Sequence, residues 1–194
     1  LERASVSDVR GHSTPDSRRS VLWPHQRRAL EAAQRWHART RSRVLVEAPP
    51  GTGKTEIACR SALAFVKARP FGRAVICVSS LAILGQFHRR MAALTTIPIG
   101  IEQADRHTRT ERIVIASLAS LRGRLDKYDQ KNLLVLDEAH HANDDAAATQ
   151  ETADRFSHVL SLTASPWSEG ALSFLAESER IKLRYSDALK AGLC

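Results

Sequence analysis

The sequence predicts a three-layer α/β/α domain around a mostly parallel β-sheet. Its 194 residues suit one compact domain, and short apolar runs alternate along the chain with amphipathic stretches. Because these runs are apolar at almost every position, the strands that they predict should be covered on both faces. Strands that alternate with helices indicate parallel βαβ units with right-handed crossovers.

The predicted strands are rich in Val, Ile and Leu. They lie at residues 44–48, 74–79, 113–117, 133–137 and 158–163, with two further runs at 97–102 and 180–185. The helical patterns lie at residues 24–40, 54–68, 81–94 and 143–155. Pro24 suits the first turn of its helix, where a missing amide hydrogen costs nothing.

The composition excludes several classes of protein. Hydrophobic residues make up 43% of the chain, enough to bury a core and too many for a disordered polyelectrolyte. No apolar run approaches the roughly 18 residues of a membrane-spanning helix, and residues 1–20 lack the apolar stretch of a signal peptide. Cys59, Cys77 and Cys194 have no C-x-x-C spacing, so we expect reduced, mostly buried thiols in a cytoplasmic or nucleoid-associated protein.

Positive charge is concentrated near the N-terminus. The formal net charge is +8, and residues 1–43 hold ten Lys or Arg against four Asp or Glu. Residues 1–20 are rich in Ser, Arg and Asp and are interpreted as a flexible basic lead-in. Such an arm attracts phosphate backbones by releasing counterions. It is equally consistent with a solvated tail that keeps the protein soluble.

A glycine-rich segment, APPGTGKT at residues 48–55, follows the first predicted strand and opens a predicted helix. It fits the phosphate-binding P-loop, with Ala in the place of the first Gly. Glycines let the backbone curl so that its amide hydrogens and the helix N-terminus face a phosphate. Lys54 would reach the β- and γ-phosphates of ATP, and the Thr55 hydroxyl would bind Mg²⁺. The residues expected to contact the nucleotide here are Pro50, Gly51, Thr52, Gly53, Lys54 and Thr55.

An acidic pair, Asp137 and Glu138, ends the predicted strand at residues 133–137 and begins the segment DEAHH. Open parallel sheets bind ligands beyond the carboxyl ends of their strands. Asp137 is suited to holding Mg²⁺ through its water shell, and Glu138 to orienting and deprotonating the water that attacks the γ-phosphate. Together with Lys54, these two residues form the predicted catalytic set.

With these motifs, residues 21–194 resemble the superfamily-two helicases and translocases, whose first lobe is a RecA-like P-loop domain. The resemblance implies that residues 21–185 form that lobe and that residues 186–194 begin a linker to a second lobe. The segment WPHQ at residues 23–26 resembles the Q motif, in which Gln26 would read the adenine edge. An amide both donates and accepts hydrogen bonds, which suits adenine.

Two further segments resemble the family's nucleic-acid contacts. Ser79 and Ser80 stand where motif Ia usually has Pro-Thr, and Ser117 stands where the next such motif has Thr. Their hydroxyls would contact a phosphate backbone. Each serine also suits a helix N-cap, which explains it equally well.

The segment LTASPW at residues 162–167 resembles motif III, with Ser165 in place of a Thr. In the family this segment couples the nucleotide state to the nucleic-acid site. The resemblance therefore assigns coupling roles to Thr163 and Ser165, with His140 bridging to them by a hydrogen bond.

The double histidine of DEAHH, the segment GIEQA at residues 100–104 and the TASPW ending look most like XPB-type repair helicases and the motor subunits of type I and type III restriction enzymes. Both resemblances imply double-stranded DNA as partner. In the family an arginine finger from the second lobe raises the hydrolysis rate by roughly 10³–10⁵, and no such motif follows Thr163 in this sequence. We therefore expect the isolated chain to bind ATP weakly and hydrolyse it very slowly. An RNA helicase lobe and a non-hydrolysing nucleic-acid-binding module remain the alternatives.

Overall fold

A computed structural model gives the fold. It describes residues 22–37, 39–103, 106–107, 110–128, 132–139, 146–164, 178–184 and 186. The predicted lead-in at residues 1–20, nearly all of the predicted linker, His140 and Ser165 lie outside these residues. The domain limits inferred from the sequence stay predictions.

Seven parallel strands form one sheet in the order β3-β4-β2-β5-β6-β1-β7. The strands are β1 (Ser42–Glu47), β2 (Ala74–Val78), β3 (Ile99–Glu102), β4 (Ile113–Ser117), β5 (Leu133–Leu136), β6 (His158–Thr163) and β7 (Glu179–Lys182). The helices are α1 (Pro24–His37), α2 (Lys54–Ala68), α3 (Leu81–Leu94), α4 (Leu118–Arg122) and α5 (Ala146–Asp154), with a 3₁₀ turn at Leu125–Lys127. The mostly parallel sheet expected from the sequence is confirmed.

Two hydrophobic clusters cover the two faces of the sheet. On one face, α1, α2 and α3 cover side chains such as Ile76 of β2 and Val135 of β5. On the other face, α4 and α5 cover the alternate side chains, among them Val75 and Leu134. All residues of β2, β5 and β6 are buried, as expected for strands covered on both sides. The three-layer architecture predicted from the sequence is therefore correct.

The carboxyl ends of all seven strands point to one edge of the sheet because the strands are parallel. The loop after β1 and the turn after β5 both lie at this edge, although β6 separates the two strands. Ala48, directly after β1, donates its amide hydrogen to the carbonyl of Thr163 at the end of β6, at 2.8 Å. The sheet thereby brings the two sequence motifs within reach of each other.

Cys59 and Cys77 are free, buried thiols. Burial raises the pKa of each to about 12, which makes both unreactive at neutral pH. Within the described residues, no helix is both long and apolar enough to cross a lipid bilayer.

Candidate nucleotide-binding site

The glycine loop curls between β1 and the first turn of α2. Gly51 has a φ of 79° and Gly53 a φ of 81°, in the left-handed region that glycine adopts without steric cost. Gly53 immediately precedes α2, so it also sets the angle at which the chain enters that helix. The sequence-predicted strand–loop–helix context is thus present, with the curl that such a loop needs.

Gln26 of α1 contacts this loop from behind. Its side-chain nitrogen donates to the carbonyl oxygen of Thr52 at 3.1 Å, and its side-chain oxygen accepts from the amide of Trp23 at 3.1 Å. A Cβ atom at Gly53 would lie 2.2 Å from the Gln26 nitrogen, so a larger residue would displace the Gln26 amide and would also strain the backbone at this positive φ. The Thr52 hydroxyl turns inward to the carbonyl of Pro49 at 2.7 Å.

Lys54 extends its ammonium group toward the acidic turn after β5. Its Nζ lies 3.3 Å from Oε1 of Glu138 and 3.5 Å from the carbonyl oxygen of Ala48. The Lys54 side chain is only 11% exposed and that of Glu138 25%, so solvent screens this pair incompletely. The contact joins the two motifs that the sequence placed 84 residues apart.

Asp137 begins the turn after β5, and its amide donates to the carbonyl of Cys77 in β2 at 3.0 Å. Burial raises the pKa of the Asp137 carboxyl to about 6; repulsion from Glu138 adds to the shift, and Lys54 opposes it. A nearby cation would stabilise the ionised form of this carboxyl group, so Asp137 is suited to binding Mg²⁺.

Glu138 is the only residue other than glycine with a positive φ among those that the structure describes, at 50°. This left-handed conformation costs roughly 1 kcal/mol or more for a residue with a Cβ atom. It turns the chain at the edge of the sheet so that the carboxylates of Glu138 and Asp137 share one cleft. Such strain concentrates at functional positions.

The cleft has a volume of about 380 Å³, within the range of small-molecule sites. Seven of the nine residues predicted to bind the nucleotide or act in catalysis line it: Pro50, Gly51, Gly53, Lys54, Thr55, Asp137 and Glu138. The other two, Gln26 and Thr52, are buried behind the loop, 6% and 2% exposed. Gln86 of α3 lines the cleft as well, although the sequence gave it no role at the nucleotide.

Two of the three predicted nucleic-acid serines, Ser80 and Ser117, cap helices. Ser80 Oγ accepts from the amide of Ile83 at 3.4 Å, at the start of α3. Ser117 Oγ accepts from the amide of Ser120 at 3.3 Å, at the start of α4. The cap that the sequence left open as an explanation is therefore present at both.

Ser79 and Ser117 line a second cavity of about 450 Å³, which Asp137 and Glu138 also line. The two carboxylates thus lie between the glycine-loop cleft and the cavity of the predicted nucleic-acid serines. Thr163, predicted to couple the two sites, is fully buried at the end of β6. Its predicted partners His140 and Ser165 lie outside the described residues.

Sequence reasoning missed His25. It is 2% exposed, and its Nε2 lies 3.0 Å from the carbonyl oxygen of Thr52 in the glycine loop. Its position at the start of a helix, directly before Gln26, was the only available signal. The sequence does not show that a histidine in this helix contacts a carbonyl of the distant glycine loop, so sequence alone gave it no role.

The fold and this site define the N-terminal RecA-like lobe of a superfamily-two helicase. Residues 19–168 match the family described as type III restriction enzyme, res subunit, and the chain belongs to that family. The resemblance inferred from the sequence is therefore confirmed. No curated protein sequence matches the chain.

Several solved structures share the fold. The SWI2/SNF2 ATPase core of Sulfolobus solfataricus, solved with double-stranded DNA, has a TM-score of 0.67 at 18% identity, over 80% of this chain and 35% of that one. The type ISP restriction-modification enzyme LlaGI, a nuclease-deletion mutant solved with a DNA substrate mimic, has a TM-score of 0.67 at 17% identity, over 89% and 21%. The UvsW helicase of bacteriophage T4 has a TM-score of 0.66 at 15% identity, over 84% and 60%. This chain therefore spans less than two thirds of each.

Proposed function

We propose that the chain is the ATP-binding first lobe of an ATP-dependent DNA helicase or translocase. The observation that carries the proposal is the meeting of Lys54, Asp137 and Glu138 with two left-handed glycines in one cleft. A cationic side chain, a curled loop at a helix N-terminus and an acidic pair together suit a nucleoside triphosphate with Mg²⁺.

The residues present fit such a ligand. Lys54 is held by a carboxylate and one carbonyl, and phosphate oxygens would replace these two partners. Within the described residues, no three His, Cys, Asp or Glu side chains cluster to hold a metal by themselves. Mg²⁺ usually keeps several waters and binds through one or two protein groups plus substrate phosphates. Thr55 and Asp137 are the two protein groups at this cleft that would serve.

Each side chain would have one task in ATP hydrolysis. Bound ATP with Mg²⁺ would supply the γ-phosphoryl group whose transfer to water releases energy. Lys54 would donate hydrogen bonds from Nζ to phosphate oxygens and neutralise charge. Glu138 would orient the attacking water and accept its proton at a carboxylate oxygen. Asp137 would remain ionised once a cation lies beside it.

DNA is the proposed nucleic-acid partner. Support comes from the structures with the same fold that were solved with double-stranded DNA or a DNA substrate mimic, and from the restriction-enzyme family. Ser79 and Ser117, at the cavity beside the carboxylates, would contact the phosphate backbone. Fluorescence anisotropy with duplex DNA and with single-stranded RNA tests this assignment. Tighter binding of RNA would favour the RNA helicase alternative.

A second RecA-like lobe would complete the ATP site. The chain covers 35% and 21% of the length of two of the matched proteins, which leaves room for further domains in the whole protein. Closure of two lobes around ATP would drive the stepping along DNA. A steady-state ATPase assay of this chain with duplex DNA should give very slow turnover, and robust DNA-stimulated turnover would contradict the need for a second lobe.

Lys54→Ala tests the site itself. The change should weaken binding of Mg-ATP about 10- to 100-fold, because a charge-assisted hydrogen bond to phosphate is lost. Titration of a fluorescent ATP analogue measures the affinity. Lys67→Ala is the matched control, since Lys67 is an exposed lysine at the other end of α2. Failure of wild type and both variants to bind ATP would favour the alternative of a non-hydrolysing nucleic-acid-binding module.

A further inference from the structure

One carbonyl group of the glycine loop has two side-chain donors. The Thr52 oxygen lies 3.0 Å from His25 Nε2 and 3.1 Å from Gln26 Nε2. Both side chains come from the first turn of α1 and both are almost completely buried. The loop is thereby fixed from outside the cleft by residues 26 and 27 positions earlier in the chain.

The geometry defines the tautomer of His25. A carbonyl oxygen only accepts hydrogen bonds, so Nε2 must carry the hydrogen and donate it. Nδ1 is then a bare acceptor; it is buried and has no hydrogen-bond partner among the described residues. The contact with Thr52 therefore needs the hydrogen on Nε2 and does not involve Nδ1.

Fixing the Thr52 carbonyl also fixes the next amide. In a trans peptide the C=O and N–H bonds point in opposite directions, and the described chain has no cis peptide bond. Because the Thr52 oxygen points at α1, the Gly53 N–H points away from α1. Gly53 lines the cleft with Lys54 and Asp137, and this amide is the one that the orientation of the Thr52 carbonyl controls.

We propose that His25 is a positioning residue for phosphate binding: with Gln26, it holds the Thr52–Gly53 peptide so that the Gly53 amide donates to a phosphate oxygen. This inference rests on the proposed ATP site. It adds to that site a function for α1 that does not depend on the base. The amide of Trp23 orients the Gln26 side chain, so the same helical turn sets both donors.

The start of α1 could have either of two roles, reading the adenine base or positioning the Gly53 amide. A residue that reads adenine contributes to ATP binding and nothing to binding of inorganic tripolyphosphate, which has no base. A residue that positions the Gly53 amide contributes equally to both ligands. Comparing ATP with tripolyphosphate therefore measures which role His25 has.

The test uses His25→Leu and His25→Gln in the 194-residue chain. Leucine fills the buried space without a donor, whereas the glutamine amide can place an N–H near the position of His Nε2. We expect His25→Leu to weaken Mg-ATP and Mg-tripolyphosphate by the same factor, about five-fold, the effect of one lost hydrogen bond. His25→Gln should restore most of both affinities. Competition against a fluorescent ADP analogue gives the constants.

Two outcomes would overturn the inference while leaving the ATP site intact. One is a loss for ATP without a loss for tripolyphosphate, and the other is unchanged affinity for both in His25→Leu while Lys54→Ala abolishes binding. If wild type binds neither ligand, the proposed function itself fails. The two failures are thus distinguishable.

A second measurement needs no variant. Nitrogen-15 NMR of the wild-type imidazole should show His25 as the Nε2–H tautomer, and the Gly53 amide proton should shift when tripolyphosphate binds. An Nδ1–H tautomer, or a Gly53 amide unaffected by saturating tripolyphosphate, would contradict the proposal even if His25→Leu does not fold.

Discussion

The amino ends of the parallel strands form one edge of the sheet, the amino edge, and their carboxyl ends form the opposite edge, the carboxyl edge. At the amino edge, arginine side chains donate to carbonyl groups where helices end. At the carboxyl edge, two glycines and a glutamate adopt left-handed backbone conformations around a cleft. The guanidinium of Arg43 donates to four carbonyl oxygens, those of Ser42, Ala153, Phe156 and Ser157. The guanidinium of Arg112 donates to three more at the end of α2, those of Val66, Arg69 and Gly72.

His158 shows how completely the amino edge is bonded. Its Nε2 accepts from Arg69 at 2.7 Å, so its Nδ1 carries the hydrogen and donates to the Ser42 hydroxyl at 2.9 Å. Burial, with the nearby charges of Arg69 and Arg43, lowers the pKa of His158 to about 4. The ring is therefore neutral and fixed at physiological pH.

The carboxyl edge has the opposite character. Asp137 is costly to ionise, and Glu138 holds a strained backbone conformation. At the amino edge, Arg43, Arg112 and His158 are bonded to groups of the fold itself, while the carboxyl edge holds charge and strain that a ligand would relieve. Removing the charge of Arg43 at the amino edge should therefore destabilise the fold, whereas removing the charge of Asp137 at the carboxyl edge should stabilise it.

Arg43→Leu should have the largest effect. Arg43 is 8% exposed, so its loss leaves carbonyls at the end of α5 without their donor. Hydrogen bonds to a buried charge are worth about 1.5–3 kcal/mol each, and they do not add fully. We expect the free energy of unfolding to fall by about 3–4 kcal/mol, measured by urea denaturation.

Arg41→Ala is the matched control for that prediction. Arg41 lies two residues earlier and pairs with Asp154 at 3.7 Å, with side chains 65% and 51% exposed. An exposed pair contributes at most about 1 kcal/mol, so this variant should differ little from wild type. If Arg41→Ala and Arg43→Leu lowered the free energy of unfolding equally, the buried hydrogen bonds of Arg43 would contribute no more than an exposed ion pair, and the prediction would be wrong.

The sequence predicted one edge far better than the other. The carboxyl edge depends on Lys54 and on the acidic pair Asp137 and Glu138, which stand in short contiguous motifs after strands. The bonds of Arg43 reach carbonyls 110 and 113 positions away. Every residue has a backbone carbonyl, so the sequence does not indicate which carbonyls an arginine will bind.

The sheet itself was predictable in part. β2 and β5 are covered on both faces and are apolar throughout, so both strands were recognisable from composition alone. The order of the strands in the sheet could not be predicted in this way, because apolar strands of similar length have the same sequence pattern. Which strand lies beside which is set by the crossover helices and by side-chain fit between layers.

Asp137→Asn should stabilise the chain above pH 6 in the absence of Mg²⁺ and nucleotide. The folded pKa of about 6 lies above the ordinary value of 3.8, so the folded state binds this proton more tightly than the unfolded state does. The stabilising contribution is complete below pH 4 and is lost as the pH rises through 6. Asparagine does not titrate, so the free energy of unfolding of the variant should exceed that of wild type by about 3 kcal/mol at pH 8.

The pH profile is the control for that prediction. The difference in free energy of unfolding between Asp137→Asn and wild type should vanish near pH 4 and grow between pH 4 and 7, because only wild type loses a proton from residue 137 over this range. A constant difference across this range would mean that asparagine acts by packing. If the variant were less stable than wild type at pH 8, ionised Asp137 would not destabilise the folded chain, and the prediction would be wrong.

Glu138 allows the smallest and most specific test, a comparison of Glu138→Gly with Glu138→Ala. Both variants lose the contact with Lys54, so their difference reports the backbone alone. At a φ of 50°, glycine avoids the clash of a Cβ atom, and Glu138→Gly should be more stable by about 1 kcal/mol. Ala64→Gly, inside α2, should show the reverse sign by about the same amount. Urea denaturation of all three variants measures both differences. If glycine were the less stable residue at position 138 as well, the left-handed turn would not be a source of strain in the folded chain.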